Sequence, residues 1–192
     1  AWGSGSFGLL NFYPNQININ GGTIRYTGTN NVHVADLDGR GFTIGALGAT
    51  LEAATLGQTW YINQDDRNFG RYSIVSSNGG FLTLAGAGNG EIDKVIPGTG
   101  GITKTGTGTW TLAVANTYSG NTTISAGTLA VTGSGQLYTT DGNAQIFVNS
   151  GATLQVDRWD GGQADPYYPS PDPVAWGSGS FGLLNFYPNQ IN

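Results

Sequence analysis

The chain has no cysteine, a single histidine and little charge: only 10% of its 192 residues are Asp, Glu, Lys or Arg. Without cysteine, stability has to come from burial and hydrogen bonding, and the redox compartment is left open while export remains permitted. The seven Lys and Arg residues are scattered and the net charge is −5, which argues against nucleic acid as a partner. No apolar run approaches the ~20 residues that a membrane helix requires. No charged-then-apolar start resembles a secretory signal, so export signals are expected outside this stretch.

What the chain has in excess is glycine, 33 residues, far above the usual share of roughly 7%. Collagen is excluded because no Gly-X-Y period appears. Disorder is disfavoured because 38% of residues are hydrophobic and 11% aromatic, whereas chains that stay unfolded are poor in both. Many tight turns between short strands remain, in a chain long enough for one domain with a sizeable core.

Short stretches that alternate apolar and polar residues between Gly or Asn carry the period-2 signal of half-buried strands. Ile24 and Tyr26, Phe42 and Ile44, Leu129 and Val131, and Leu154 and Val156 each share a face, and these faces are expected to point inward. The segments beginning at Thr128 and Thr153 lie 25 residues apart, within the range of one coil of a solenoid. Gly45 to Gly57 has helix-forming Ala, Leu and Glu, but its Gly and Thr residues fit a strand and turn at least as well. Asn runs such as residues 15–20 and Asn30-Asn31 suit turns and stacked polar ladders. Seven to nine coils per unit, at ~4.8 Å each, would give a rod of ~35 to 45 Å.

Residues 1–18, AWGSGSFGLLNFYPNQIN, recur letter for letter as residues 175–192. Either the parent polypeptide repeats a unit of 174 residues, with Ala175 the counterpart of Ala1, or the two ends are a permutation or fusion scar. Tandem repetition is the favoured reading, because repeats of this kind mark solenoids and arrays. It divides the chain into the copy at 1–18, a β-solenoid at 19–160, a Pro/Tyr-rich linker or loop at 161–174 and the start of the next repeat at 175–192. The linker overlaps a stretch from Asp157 to Pro173, whose four prolines break strand pairing.

Gly101-Ile102-Thr103-Lys104-Thr105-Gly106, Gly108-Thr109-Trp110-Thr111-Leu112, Ala115-Asn116-Thr117-Tyr118-Ser119-Gly120 and Ala126-Gly127-Thr128-Leu129 follow one another closely. Together they resemble the autotransporter-associated β-strand repeat of bacterial surface passenger domains. Trp110 stands where that family usually has Leu, a change expected to alter packing but not fold. The resemblance implies an all-β chain forming a right-handed parallel β-helix, or β-solenoid, here with the Pro/Tyr-rich loop as an extension. It also implies export to the cell surface, with any outer-membrane part elsewhere in the parent chain. It implies no particular activity, since one fold hosts many functions. Within the stretch, Leu112, Val114, Ile124 and Leu129 are expected to fill the interior, and Asn116 and Asn121 to bond to the backbone of their turns.

Chemistry is sparse. A hydrolase or lyase would need close-set carboxylates or a base of perturbed pKa in a cleft. The obvious candidates among the twelve acids are Asp36 with Asp38, Asp65-Asp66 and Glu52, and adjacent residues such as Asp65 and Asp66 point to opposite sides of a strand. His33, between Val32 and Val34, is expected on an outward face. Asp36-Leu37-Asp38-Gly39 opens like a calcium loop but lacks the later bidentate acid, so an Asp-Gly turn explains it and no metal is expected. Asn121-Thr122-Thr123 fits a glycosylation acceptor and is read as structural.

The sequence therefore points to a structural tandem-repeat unit of an extracellular fibre, stalk or sheath, with no cofactor and no catalysis. Its partners would be other copies of the same repeat. The expected assembly contacts are Trp2, Phe7, Phe12, Tyr13, Tyr167 and Tyr168, because aromatic side chains dominate interface energetics. A surface adhesin that binds glycans or cells is the alternative, and a polysaccharide-active β-helix enzyme comes third.

Overall fold

The computed structural model describes residues 17–33, 42–62, 74–76, 79–132, 135, 137 and 144–156, with only the backbone course of Val32, His33 and residues 74–76. Among the described residues seventeen strands form three sheets, and the chain visits the sheets in turn. The first rung is β1 (Ile17–Ile19), β2 (Gly22–Tyr26) and β3 (Val32–His33), and the second is β4 (Phe42–Ile44), β5 (Ala49–Ala53) and β6 (Thr59–Ile62). Next come β7 (Ile74–Ser76), β8 (Leu82–Ala85) and β9 (Asn89–Ile92), then β10 (Pro97–Gly98), β11 (Ile102–Lys104) and β12 (Thr109–Leu112). The fifth rung is β13 (Thr117–Tyr118), β14 (Thr122–Ile124) and β15 (Gly127–Val131), and the described residues close with β16 (Ile146–Val148) and β17 (Ala152–Val156).

Sheet A runs β1-β4-β7-β10-β13, sheet B β2-β5-β8-β11-β14-β16 and sheet C β3-β6-β9-β12-β15-β17. Every pairing is parallel. The expectation of an all-β, parallel architecture holds. The 25-residue offset is also realised, because Thr128 pairs with Thr153, Leu129 with Leu154 and Val131 with Val156. The stretch from Gly45 to Gly57 is strand and turn, with β5 alternating buried and half-buried residues.

The alternation follows from the pleat, which sends successive side chains to opposite faces. Phe42, Ile44, Leu51, Ile62, Leu82, Leu84, Ile92, Ile102, Leu112, Ile124, Leu129 and Val131 are all at most 2% exposed and form one continuous core. Each large aliphatic side chain so buried contributes roughly 1.5–3 kcal/mol. Two expected inward faces depart from this pattern. Ile24 and Tyr26 are only half-buried, as is Leu154, while Val156 is 47% exposed. They lie on β2 and β17, the outermost described strands of their sheets, where stacking comes from one side. Val114 is likewise half-buried, because it falls after the end of β12 rather than on its inward face.

Described residues 17–156 span six rungs, against the seven to nine expected for a whole unit. Residues bonded between adjacent rungs lie 20 apart around β9 to β13, but 27 and 28 apart in the first two rungs. The extra residues are spent in the connections. The duplicated ends at 1–18 and 175–192, apart from Ile17 and Asn18 of the first copy, and the Pro/Tyr-rich stretch at 161–174 lie outside the described residues.

Asparagines tie the rungs together. Asn20, Asn31, Asn89 and Asn121 accept, through Oδ1, the backbone N–H of Leu47, Thr59, Thr109 and Gln145, at 2.8 to 3.0 Å. Asn116, 1% exposed, accepts from the Ile96 N–H of the preceding rung at 3.0 Å and donates to Val114 O of its own turn at 3.0 Å. The expected bond to the turn's own backbone is present at Asn116, through Val114 O, and both Asn116 and Asn121 also accept from a backbone N–H of the neighbouring rung. Parallel stacking places a corner residue one strand spacing from its counterpart, within reach of a short amide. Asn116→Ala is expected to cost about 2 kcal/mol, because the Ile96 N–H is left buried without an acceptor. Asn20→Ala, whose partner N–H is exposed, should cost less than about 1 kcal/mol, since water replaces the amide. Urea midpoints of the two variants check the contrast, and equal losses would refute it.

Candidate functional site

Residues 102–131 contain the most heavily specified part of the core. Trp110 is fully buried, and its Nε1–H donates to Ala85 O at 3.0 Å. In register it lies beside Gly90, which in turn lies beside Trp60. A Cβ at Gly90 would fall 2.4 Å from the Trp110 ring, so glycine leaves the volume the indole fills. The two indoles meet edge to face across it, centroids 6.1 Å apart at 70°, an arrangement that suits aromatic quadrupoles. Tyr26 stacks on the far side of Trp60 at 6.1 Å and 28°.

Lys104 occupies an inward position between Leu84 and Ile124 of the adjacent rungs and is fully buried. Its Nζ donates to Thr105 O at 2.6 Å, Gly106 O at 2.9 Å and Ala126 O at 3.1 Å. Desolvation lowers its pKa from 10.5 to about 8. Sequence reasoning missed this residue, although its signal was there: Lys104 shares the parity of Ile102. Tyr118, 1% exposed, exchanges a 2.6 Å hydroxyl bond with Thr122. Burial pushes its phenol pKa up, and the Thr122 bond only partly offsets this.

The outward face of sheet B is a file of threonines. Thr23, Thr50, Thr83, Thr103 and Thr123 are in register on five successive rungs, followed by Phe147. Between the second and third members opens a cleft of ~180 Å³ lined by Leu47, Thr50, Phe81 and Thr83 with the backbone of Gly21, Ala46, Gly48 and Ala49. Leu47 is 75% and Phe81 47% exposed beside it. Its size is below that of pockets for drug-sized ligands.

Glu52 pairs with Arg25 on the neighbouring rung, Nε to Oε2 2.7 Å. That pair is exposed and contributes little to stability. Asp36, Asp38, Asp65 and Asp66 lie outside the described residues, as do the expected contacts Trp2, Phe7, Phe12, Tyr13, Tyr167 and Tyr168. His33 is in β3 opposite Tyr61; its side chain is not among those described. Among the described residues no three His, Cys, Asp or Glu side chains gather as metal ligands. Asn121 of the glycosylation pattern has its carbonyl oxygen engaged by Gln145, and Thr122 is buried against Tyr118.

Residues 102–131 match the family described as passenger-associated-transport-repeat. The Adhesin BmaC autotransporter of Brucella suis biovar 1 (strain 1330) is 37% identical over 159 residues, covering 81% of this chain. The chain spans about 4% of the length of that curated relative. No solved structure matches.

Proposed function

We propose, from the premise that residues 102–131 are an autotransporter passenger repeat and that the chain therefore lies outside the cell or at its surface, that it is an adhesin-like segment of a β-solenoid passenger. The winding is right-handed, as crossover connections between parallel strands of one sheet almost always are. The solenoid serves as a rigid stem that presents its outward rows. The observation that carries this reading is the in-register threonine file on sheet B with the Leu47–Phe81 cleft beside it.

Hydroxyls at regular spacing next to an exposed aromatic ring suit glycans, the ligand class given to this reading. A glycan array probed with the soluble chain tests it. Binding should fall about tenfold, or ~1.4 kcal/mol, in the double variant Leu47→Ser, Phe81→Ser, while the denaturation midpoint barely moves because both side chains are exposed. A chain that binds no glycan, or whose double variant binds unchanged, would sink it.

A second reading, end-to-end stacking of units into a fibre, stalk or sheath, rests on the identity of residues 1–18 and 175–192. All-parallel sheets make it feasible, because the two ends of such a stack offer complementary edges. Phe12→Ala with Tyr13→Ala should reduce assembly in sedimentation without altering strand content by circular dichroism. Unaltered assemblies would refute the contact assignment, which includes Trp2, Phe7, Tyr167 and Tyr168. Neither reading includes catalysis, a nucleic-acid partner or a cofactor, and the Arg25 partner of Glu52 supports the first of these. Detectable turnover of polysaccharides would overturn it.

A further inference from the structure

We infer that the corner joining sheets B and C in the fourth and fifth rungs is an internal cation site, built from the carbonyl oxygens of Thr105, Gly106 and Ala126 and filled by the chain's own Lys104 ammonium, so that shortening Lys104 opens a site for a small primary alkylammonium ion.

Three carbonyls converge on Nζ at 2.6, 2.9 and 3.1 Å, and an ammonium has three protons to give and nothing to accept with. Donors and acceptors therefore match in number. The oxygens come from two successive rungs, Thr105 and Gly106 from one and Ala126 from the next, so the cation spans the rung boundary.

The walls are backbone, and glycine is what lets them close in. Gly106 and Gly127 both have positive φ, 71° and 65°, a conformation L side chains resist. A Cβ on Gly127 would stand 2.4 Å from Gly106 O, 2.6 Å from Gly108 O and 2.9 Å from Nζ itself. On the preceding rung Ala85 O, at the position equivalent to Thr105, likewise receives a side-chain donor, the buried Trp110 Nε1–H. The side chains at the Lys104 position on the adjacent rungs are Leu84 and Ile124, so the stem of Lys104 continues an apolar column and only its tip is polar. Desolvation by burial lowers the ammonium's pKa from 10.5 to about 8, while the three carbonyl acceptors favour the charged form.

Lys104→Ala removes three carbons and the nitrogen, the shape of n-propylammonium. The 192-residue chain carrying Lys104→Ala should gain about 5 °C in Tm when n-propylammonium chloride is raised well above its dissociation constant. The wild-type chain, whose site is full, should not respond beyond a sodium chloride control of equal ionic strength. A gain of the same size with 1-propanol, which lacks the charge, or with tetramethylammonium, which lacks the donors, would overturn the assignment, as would an equal gain in the wild type.

Should the alanine variant not fold, the wild-type chain carries the test. With ¹⁵N-labelled lysine, the Lys104 ammonium protons should be protected from exchange and show hydrogen-bond couplings to the carbonyl carbons of Thr105, Gly106 and Ala126, and the signal should persist in Lys94→Arg. Fast-exchanging ammonium protons on both lysines would reject the site.

Discussion

Gly90→Ala should destabilise the chain by about 3 kcal/mol, the upper part of the range for overpacking a core. The new methyl carbon would lie 2.4 to 2.5 Å from three carbons of the Trp110 ring, and an indole cannot yield as the tip of a flexible side chain can. Trp110 is anchored by its bond to Ala85 O and by Trp60 two rungs away, across Gly90, while the parallel ladder through Thr111, Glu91 and Leu112, Ile92 fixes the strand spacing. Neither ring nor strand has room to retreat. Trp110→Leu alone also weakens the fold, through lost contact area and a donorless Ala85 carbonyl. Combined with Gly90→Ala it should recover about 2 kcal/mol, since the residues touch and their effects cannot add. Urea unfolding followed by circular dichroism gives all four corners of this cycle, and strict additivity would show that the glycine is not reserved for the indole.

Stability should rise with pH between about 8 and 10, and Lys104→Met should remove the rise. The folded-state pKa of Lys104 is lowered from 10.5 to about 8 by desolvation, so across that window the unfolded chain holds a proton that the folded chain has released. More protons on the unfolded state means that unfolding becomes costlier as pH increases. The full shift amounts to roughly 3 kcal/mol at about 1.4 kcal/mol per pH unit. Below pH 8 the lysine is charged in both states and its contribution is flat. Above about pH 10 the sign reverses through Tyr118, whose buried phenol is raised by desolvation, because tyrosines of the unfolded chain ionise first. Denaturation midpoints of the two proteins across the window decide the matter, and parallel curves would show that Lys104 does not titrate there.

Both effects turn on residues that a linear reading ranks low. Gly90 looks like one more glycine in a glycine-rich chain, and its role emerges only because it lies beside Trp60 and Trp110 on neighbouring rungs. Lys104 reads in the sequence as one of seven scattered basic residues. Its parity with Ile102 was readable, but not the three carbonyls that make burial of an ammonium tolerable. The alignment of Thr23, Thr50, Thr83, Thr103 and Thr123 on sheet B depends on unequal connections between rungs. Asn116 was legible as a corner residue, and its partner on the preceding rung was not.

The sequence by itself determined that this chain is all-β, which faces of most strands turn inward, and that residues 100–131 resemble a passenger repeat. Alternation and turn residues are local, and the pleat converts them into faces without reference to anything distant. Only the tertiary structure decided which residues meet between rungs, because register depends on how many residues each connection takes up. A parallel stack makes every contact across such a gap, so the Trp60, Gly90 and Trp110 column, the asparagine ties and the carbonyl cage around Lys104 exist only once the rungs are laid side by side.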